Sequence, residues 1–304
     1  MSIAAIAIGS NSTRMLVHLD DGREIRERAY THLFMGLDDQ RLLTEEAMAN
    51  TCAAISELKH EAKVLGAERV LLYATSATRD AGNAEAFSRL IFTQTGLHLT
   101  VIPGETEACL AFEAASGGRH CAVLDIGGGS TELSYGEQWI VQCAASAQEG
   151  ACRLNRECGI RTLEDALNVQ ARVRERLSTV FSPLLALPRP PALIGIGGTC
   201  TTSAAIALCT PSHGNELDDT EVSRSFLESL LERVIPLTVE ERCRIPGLYA
   251  SRAAIIPHGL CILLAVMEMT GFDSFRLSTH NNLDAIVARE LRAPSPSNAG
   301  YIDL

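Results

Sequence analysis

The chain has 304 residues, 46% of them hydrophobic and 21% charged, with a formal net charge of −11 at pH 7. This is enough chain for about two domains with ordinary cores, and it is too apolar for a disordered polypeptide. The acidic balance argues against nucleic acid or a membrane surface as an unspecific partner, so a polyanion would need a local site of amides, a few arginines and a metal. No apolar run is long enough to span a bilayer, and the opening MSIAAIAIGSNST reads as a strand instead of a signal segment. Ten cysteines are scattered without a CxxC pair, which points to reduced thiols and a cytoplasmic protein.

In chain order, residues 2–32 predict three strands, with a tight Asp21-Gly22 turn between the second and third. Apolar positions at helical spacing (Ala47, Ala54, Ile55, Leu58, Ala62, Leu65) predict a helix over 44–66, opened at Thr44 and stopped by Gly66. A strand over 69–74, a polar loop through 81, a helix over 83–95, a strand over 99–102 and a helix over 105–115 follow. The order then restarts, with strands over 120–126, 131–135 and 138–144 and a helix over 162–180. A strand over 192–196 leads into a helix at Gly197, helices over 219–233 and 252–270, a strand over 274–277 and a helix over 281–292. Pro188–Pro191 and the tail after Ala293 read as linker or loose end.

A short motif occurs twice. Ile6-Ala7-Ile8-Gly9-Ser10-Asn11-Ser12-Thr13 is echoed by Leu124-Asp125-Ile126-Gly127-Gly128-Gly129-Ser130-Thr131. Each copy is an apolar strand, a turn of small residues and a return strand. Small residues permit close approach and unusual dihedrals, so backbone amides can converge on a phosphate. The periodicities alone imply an α/β fold with a repeat. With the twin turns they imply an actin-like (ribonuclease H-like) tandem βββαβα fold, two domains with ligand in the cleft between them. The expected domains are 1–118 and 119–280, with a C-terminal helix of about 281–304 packing back on the first.

Asp125 ends a strand beside three glycines, where a carboxylate can hold Mg²⁺; the bland alternative is a turn cap. Glu132, just past the turn, could reach the same metal, although a solvent-facing strand glutamate is common. Glu105 and Glu107 sit in the first turn of a helix, where the dipole favours carboxylates. Glu107 lies just before the second turn and is the candidate general base. Arg14 and Arg79 are candidate phosphate ligands, with surface ion pairs as the ordinary alternative. Gly197-Gly198-Thr199 opens a helix after a strand and is a third candidate anion site. His213, His258 and His280 show no metal-ligand spacing and read as structural or surface.

Together AIAIGSNSTRMLV (5–17), ATSATRDAGN (74–83), VIPGETEACLAF (101–112), AVLDIGGGSTEL (122–133), GACRL (150–154) and GIGGTCTTSAA (195–205) resemble the exopolyphosphatase/guanosine pentaphosphate phosphohydrolase (Ppx/GppA) family in its short two-domain form. The resemblance implies Mg²⁺-dependent release of terminal phosphate from polyphosphate or guanosine pentaphosphate. Glu107 then matches the catalytic base and Asp125 the metal-binding aspartate. Residues 9–13 and 127–131 match the two phosphate loops. This sequence departs from the family pattern at Ala7, where an aspartate is usual, at Arg252-Ala253-Ala254, and at Asn281-Asn282-Leu283-Asp284-Ala285.

The leading expectation is a phosphohydrolase with water activated by Glu107. Its alternative is a catalytically weak binding protein or sensor for the same polyanions, motivated by Ala7. A small-molecule kinase on the same fold is a third reading, disfavoured because such kinases want an aspartate at that position. A homodimer is the default oligomer.

Overall fold

The structure, a computed structural model, describes residues 1–210 and 214–292. His213 and the expected loose end from Ala293 onward lie outside the described residues. The chain forms two compact units, Met1–Leu110 joined by a C-terminal helix, and Ala111–Asn281.

The first unit runs β1 (Ile3–Ile8), β2 (Thr13–His18), β3 (Glu24–Ala29), α1 (Glu45–Val64), β4 (Arg69–Ala74), α2 (Ser76–Arg79), α3 (Ala84–Thr95), β5 (Leu99–Val101) and α4 (Gly104–Ala115), inside which the division between units falls. Its sheet has the order β3-β2-β1-β4-β5, with β1 antiparallel to β2 and parallel to β4. Every residue of β1 is buried. A strand covered on both faces reads as an unbroken apolar run such as IAAIAI, without alternation. Helix α1 starts where spacing predicts, the Thr44 hydroxyl accepting the Ala47 N–H at 3.3 Å. It ends just ahead of Gly66, whose φ of +90° suits glycine. The outer strand β3 (EIRERA) is mostly exposed, and its charges discourage pairing with another chain.

The second unit runs β6 (Cys121–Ile126), β7 (Thr131–Glu137), β8 (Ile140–Ala147), α5 (Ala151–Glu157), α6 (Leu163–Val180), α7 (Ser182–Leu185), β9 (Leu193–Ile196), α8 (Gly197–Ala207), β10 (Glu221–Ser223), α9 (Arg224–Val234), α10 (Val239–Arg242), α11 (Ile256–Thr270) and β11 (Ser274–Leu277). Its sheet order, β8-β7-β6-β9-β11-β10, repeats that of the first unit with β10 added at the edge. The same α/β, actin-like core is therefore built twice. Helix α11 is buried nearly all round, and it packs against α5, α6, α8 and α9.

The last helix, α12 (Asn282–Arg292), packs on β1 and β2 of the first unit. Glu290, only 6% exposed, meets Arg69 at 2.8 Å, and Asp284 Oδ2 takes a hydrogen bond from Arg26 Nη1 at 3.1 Å. These pairs tie α12 to β4 and β3.

Several elements differ from expectation for local reasons. Residues 219–223 are not helical. Ser223 caps α9 by accepting the Phe226 N–H at 3.2 Å, and Glu221–Ser223 pair antiparallel with β11 instead. Gln138 and Trp139 have positive φ and form a hairpin turn, so β8 begins only at Ile140. The polar loop after β4 contains one helical turn, α2, and the short helix α5 has too few residues to show a period.

Candidate active site

The two sequence copies fold into matching hairpins. Gly9 N–H donates to Ser12 C=O at 3.0 Å, and Gly127 N–H donates to Ser130 C=O at 3.0 Å. In each hairpin the carbonyls of the tip are tied from outside. Phe34 and His32 amides hold the carbonyls of Ser10 and Asn11 at 2.9 and 3.1 Å. At the second tip, Cys152 and Arg153 amides hold Gly128 C=O at 2.8 and 3.0 Å, and Arg153 Nε holds Gly129 C=O at 2.9 Å. With its carbonyls occupied, each turn is left to offer amides to an anion. The glycines serve space rather than dihedral freedom, because none of Gly9, Gly127, Gly128 or Gly129 has a positive φ. A Cβ on Gly150, which opens α5, would lie 2.4 Å from Gly128 C=O. That close approach is what glycine at position 150 allows. Thr13 and Thr131 are fully buried and engage their hydroxyls with the Thr31 hydroxyl and the Glu149 carbonyl, so their contribution at the turns comes from the backbone.

The chemistry beside the two hairpins differs. Residues directly opposite in antiparallel strands share a face, with Cβ atoms about 4.5–5.5 Å apart. Behind the first turn the row is Ala7, Arg14, Arg28; behind the second it is Asp125, Glu132, Ser146. One row is cationic and the other is acidic. Asp125 and Glu132 are buried, and the Ser146 hydroxyl donates to Glu132 Oε1 at 2.7 Å.

In the first unit, Arg79 Nη1 donates to Ile102 C=O at 2.8 Å and to Glu107 Oε2 at 3.1 Å. Glu107 is 6% exposed in the first turn of α4, with its N–H on Pro103 C=O. The structure thus brings together two residues that the sequence considered separately, and the arginine fixes the orientation of the carboxylate. The carbonyl of Ile8, at the end of β1, accepts the Thr75 N–H, which sets the α2 turn beside the first hairpin.

In the second unit, Gly197 opens α8 with φ +82°, and a Cβ there would lie 2.4 Å from Asp125 Oδ1. The carboxylate therefore rests against the start of α8. A Cβ on Gly198 would lie 2.1 Å from Arg252 Cζ, so the Arg252 guanidinium covers the second glycine. Thr199 faces the other way, its hydroxyl 2.4 Å from where a Cβ of Gly259 in α11 would stand. His258 is structural: it is buried, its Nε2 is 2.8 Å from Cys158 C=O, and burial pushes its imidazole below the ordinary value.

Two buried carboxylates on one sheet face beside a phosphate-sized turn are a donor set that fits Mg²⁺, which takes one or two protein carboxylates and completes its shell with water and phosphate oxygens. Among the described residues there is no group of three or more His, Cys, Asp or Glu able to hold a metal, so a fully protein-ligated site is not formed. Ser146, Arg28 and Arg252 were not assigned roles from sequence. The first two follow only from strand register, and Arg252 lay in a recognised pattern without a known neighbour.

The model of the Ppx/GppA phosphatase family matches residues 24–281, and this chain belongs to that family. It is similar to exopolyphosphatase 2 of Mycobacterium tuberculosis, at 31% identity over 93% of this chain and 97% of that one. It is also similar to the guanosine-5'-triphosphate,3'-diphosphate pyrophosphatase of Vibrio vulnificus, at 27% identity over 90% of this chain and 56% of that protein. Among solved structures, the Aquifex aeolicus member of the Ppx/GppA family superposes with a TM-score of 0.79 at 25% identity, covering 96% of this chain and 97% of that one. No helix among the described residues is long and apolar enough to cross a membrane.

Proposed function

We propose that this protein is a Mg²⁺-dependent phosphohydrolase that releases terminal phosphate from inorganic polyphosphate or guanosine pentaphosphate. One observation carries the reading: two matching hairpins back onto rows of opposite charge, Ala7-Arg14-Arg28 and Asp125-Glu132-Ser146. The cationic row suits phosphate oxygens directly, whereas the acidic row suits them only through a cation. Family membership and the polyphosphate and guanosine names of the two relatives support the substrate class.

On this reading the amides of residues 9–13 and 127–131 bind phosphate oxygens, joined by the first-turn amides of Gly197, Gly198 and Thr199. Arg14, Arg79 and Arg252 neutralise substrate charge with guanidinium forks. Asp125 and Glu132 would hold Mg²⁺, which when bound would supply charge neutralisation at the phosphoryl oxygens. Glu107, oriented by Arg79, takes a proton from the attacking water. The water oxygen bonds to the terminal phosphorus as the bridging P–O bond breaks, and the shortened chain leaves with that bridging oxygen. Positioning and electrostatics supply most of the rate in such transfers.

The substitution at Ala7 favours a second reading, a binding protein for the same anions with little turnover. The discriminating experiment incubates purified protein and Mg²⁺ with long polyphosphate and with guanosine pentaphosphate, in parallel, and measures phosphate release. Release from either one supports the hydrolase and selects the substrate. Saturable binding of both with no release supports the second reading.

A further inference from the structure

We infer that the buried Arg242 is a positioning residue that holds Arg252 over the Gly197-Gly198 turn; this inference deepens the proposed function and rests on it. Arg242 ends α10 and is 7% exposed. Its guanidinium is met by three backbone carbonyls: Nε donates to Val234 at 2.8 Å, Nη1 to Ala253 at 3.2 Å and Nη2 to Ile235 at 3.4 Å. Among the described residues no carboxylate pairs with it. A buried cation without a counter-ion is unfavourable, and carbonyl dipoles offset this only when several converge.

Two of those carbonyls close the C-terminus of α9, where unpaired C=O groups and the negative end of the helix dipole welcome a cation. A glycine cap would satisfy that end without burying charge. The third contact is the one that only an arginine fork can add, because it reaches across to the residue directly after Arg252.

The segment that carries Arg252 is pinned at its other end as well. Gly247, with φ +86°, presses on α8 so closely that a Cβ would stand 2.2 Å from Ala205 C=O. Between these anchors lies a tight turn, Arg252 N–H on Tyr249 C=O at 2.7 Å and Ile255 N–H on Arg252 C=O at 2.9 Å. The segment thus spans α8 from its C-terminal end to its first turn, where Arg252 lies on Gly198. The neighbour on the far side is Cys152, whose thiol feels the Arg252 charge and whose amide holds the Gly128 carbonyl. Arg252 is half-buried, with part of the residue still exposed to solvent. Arg242 acts on Arg252 through the Ala253 carbonyl.

The test compares Arg242→Met, Arg242→Lys, Arg252→Ala and the Arg242→Met/Arg252→Ala double variant. Two readouts are taken: amide hydrogen exchange over residues 249–256, and KM with kcat for the substrate that wild type hydrolyses. Arg242→Met is expected to speed exchange in that segment and to raise KM about tenfold, the scale of one charge-assisted hydrogen bond, with kcat changed little. Arg242→Lys should recover part of both effects. In the Arg252→Ala background, Arg242→Met should leave KM where Arg252→Ala put it. Equal KM increases in both backgrounds, or unchanged exchange over 249–256, would overturn the inference. A wild-type protein that neither binds tripolyphosphate nor turns over either substrate would instead overturn the proposed function, and the exchange result would still decide whether Arg242 holds the segment that carries Arg252.

Discussion

Replacing Gly197 by alanine should damage stability and metal binding together. At φ +82° an L-residue suffers the left-handed clash of Cβ with its own carbonyl, about 1–2 kcal/mol. The new Cβ would also stand 2.4 Å from Asp125 Oδ1 and 2.8 Å from Ile126 C=O. Ordinary contacts lie near ~3.5 Å, so the carboxylate must move by about 1 Å and the β6 backbone must give as well. Overpacking of this kind adds about 1–3 kcal/mol. The sum, roughly 2–5 kcal/mol, corresponds to a melting temperature lower by about 5–15 °C for a unit of this size. Gly198→Ala makes the contrast. Its obstacle is the Arg252 guanidinium, the far end of a flexible side chain, so melting should shift by only a few degrees, ~1 kcal/mol, while KM rises. Thermal melts and calorimetric Mg²⁺ titrations of both variants read out the difference. A Gly197→Ala protein that melts like wild type and binds Mg²⁺ equally well would refute the placement of Asp125 as the metal carboxylate.

Three further outcomes are expected. Ser146→Ala removes the hydroxyl that holds Glu132 and should weaken Mg²⁺ binding about tenfold or more by calorimetry, the usual scale for residues that orient a ligand; unchanged affinity would take Glu132 out of the site. Burial raises the Glu149 carboxyl above its ordinary value of 4.5, although Arg176 opposes this; Glu157 and Arg153 also face it. The fold thus disfavours the charged form, so its contribution to stability is full below pH 4.5 and is lost as pH rises through the raised value. The stability of wild type relative to Glu149→Gln should therefore fall as pH rises above 4.5 in denaturant titrations, and a flat difference would contradict the shift. Glu290→Ala leaves Arg69 without its buried partner and should cost about 1–3 kcal/mol in chemical denaturation. If stability is unaffected, this pair does not anchor α12.

Much of the fold could be read from residue order because the two repeats bury their first strands completely. IAAIAI and CAVLDI are runs that only a doubly covered strand explains, and the hairpin motif after each identifies the repeat. The short pieces were hidden. Helix α5 and strand β10 have 7 and 3 residues, too few for periodicity, and both owe their form to partners distant in sequence. At the site, small residues in the second turn suggested close approach and unusual dihedrals; no positive φ occurs at Gly127, Gly128 or Gly129, and the close approach is made by Gly150 at the start of α5, outside the motif. The opposition of Asp125 to Glu132, and of Ala7 to Arg14, depends on strand register, which residue types alone do not specify. Ala7 accordingly changes meaning. It reads in sequence as a missing carboxylate, yet it stands opposite Arg14 in a row that carries positive charge.

The measurement closest to the central claim is a comparison of wild type with Glu107→Gln for binding and turnover of the same substrate in Mg²⁺. Glutamine keeps an oxygen for Arg79 Nη1 and adds no volume, so folding and affinity should persist. Phosphate release should fall by about 10²–10⁴-fold, the usual contribution of a general base. A Glu107→Gln protein that binds and hydrolyses as wild type does would show that the water is activated elsewhere, and the account of the site would fail.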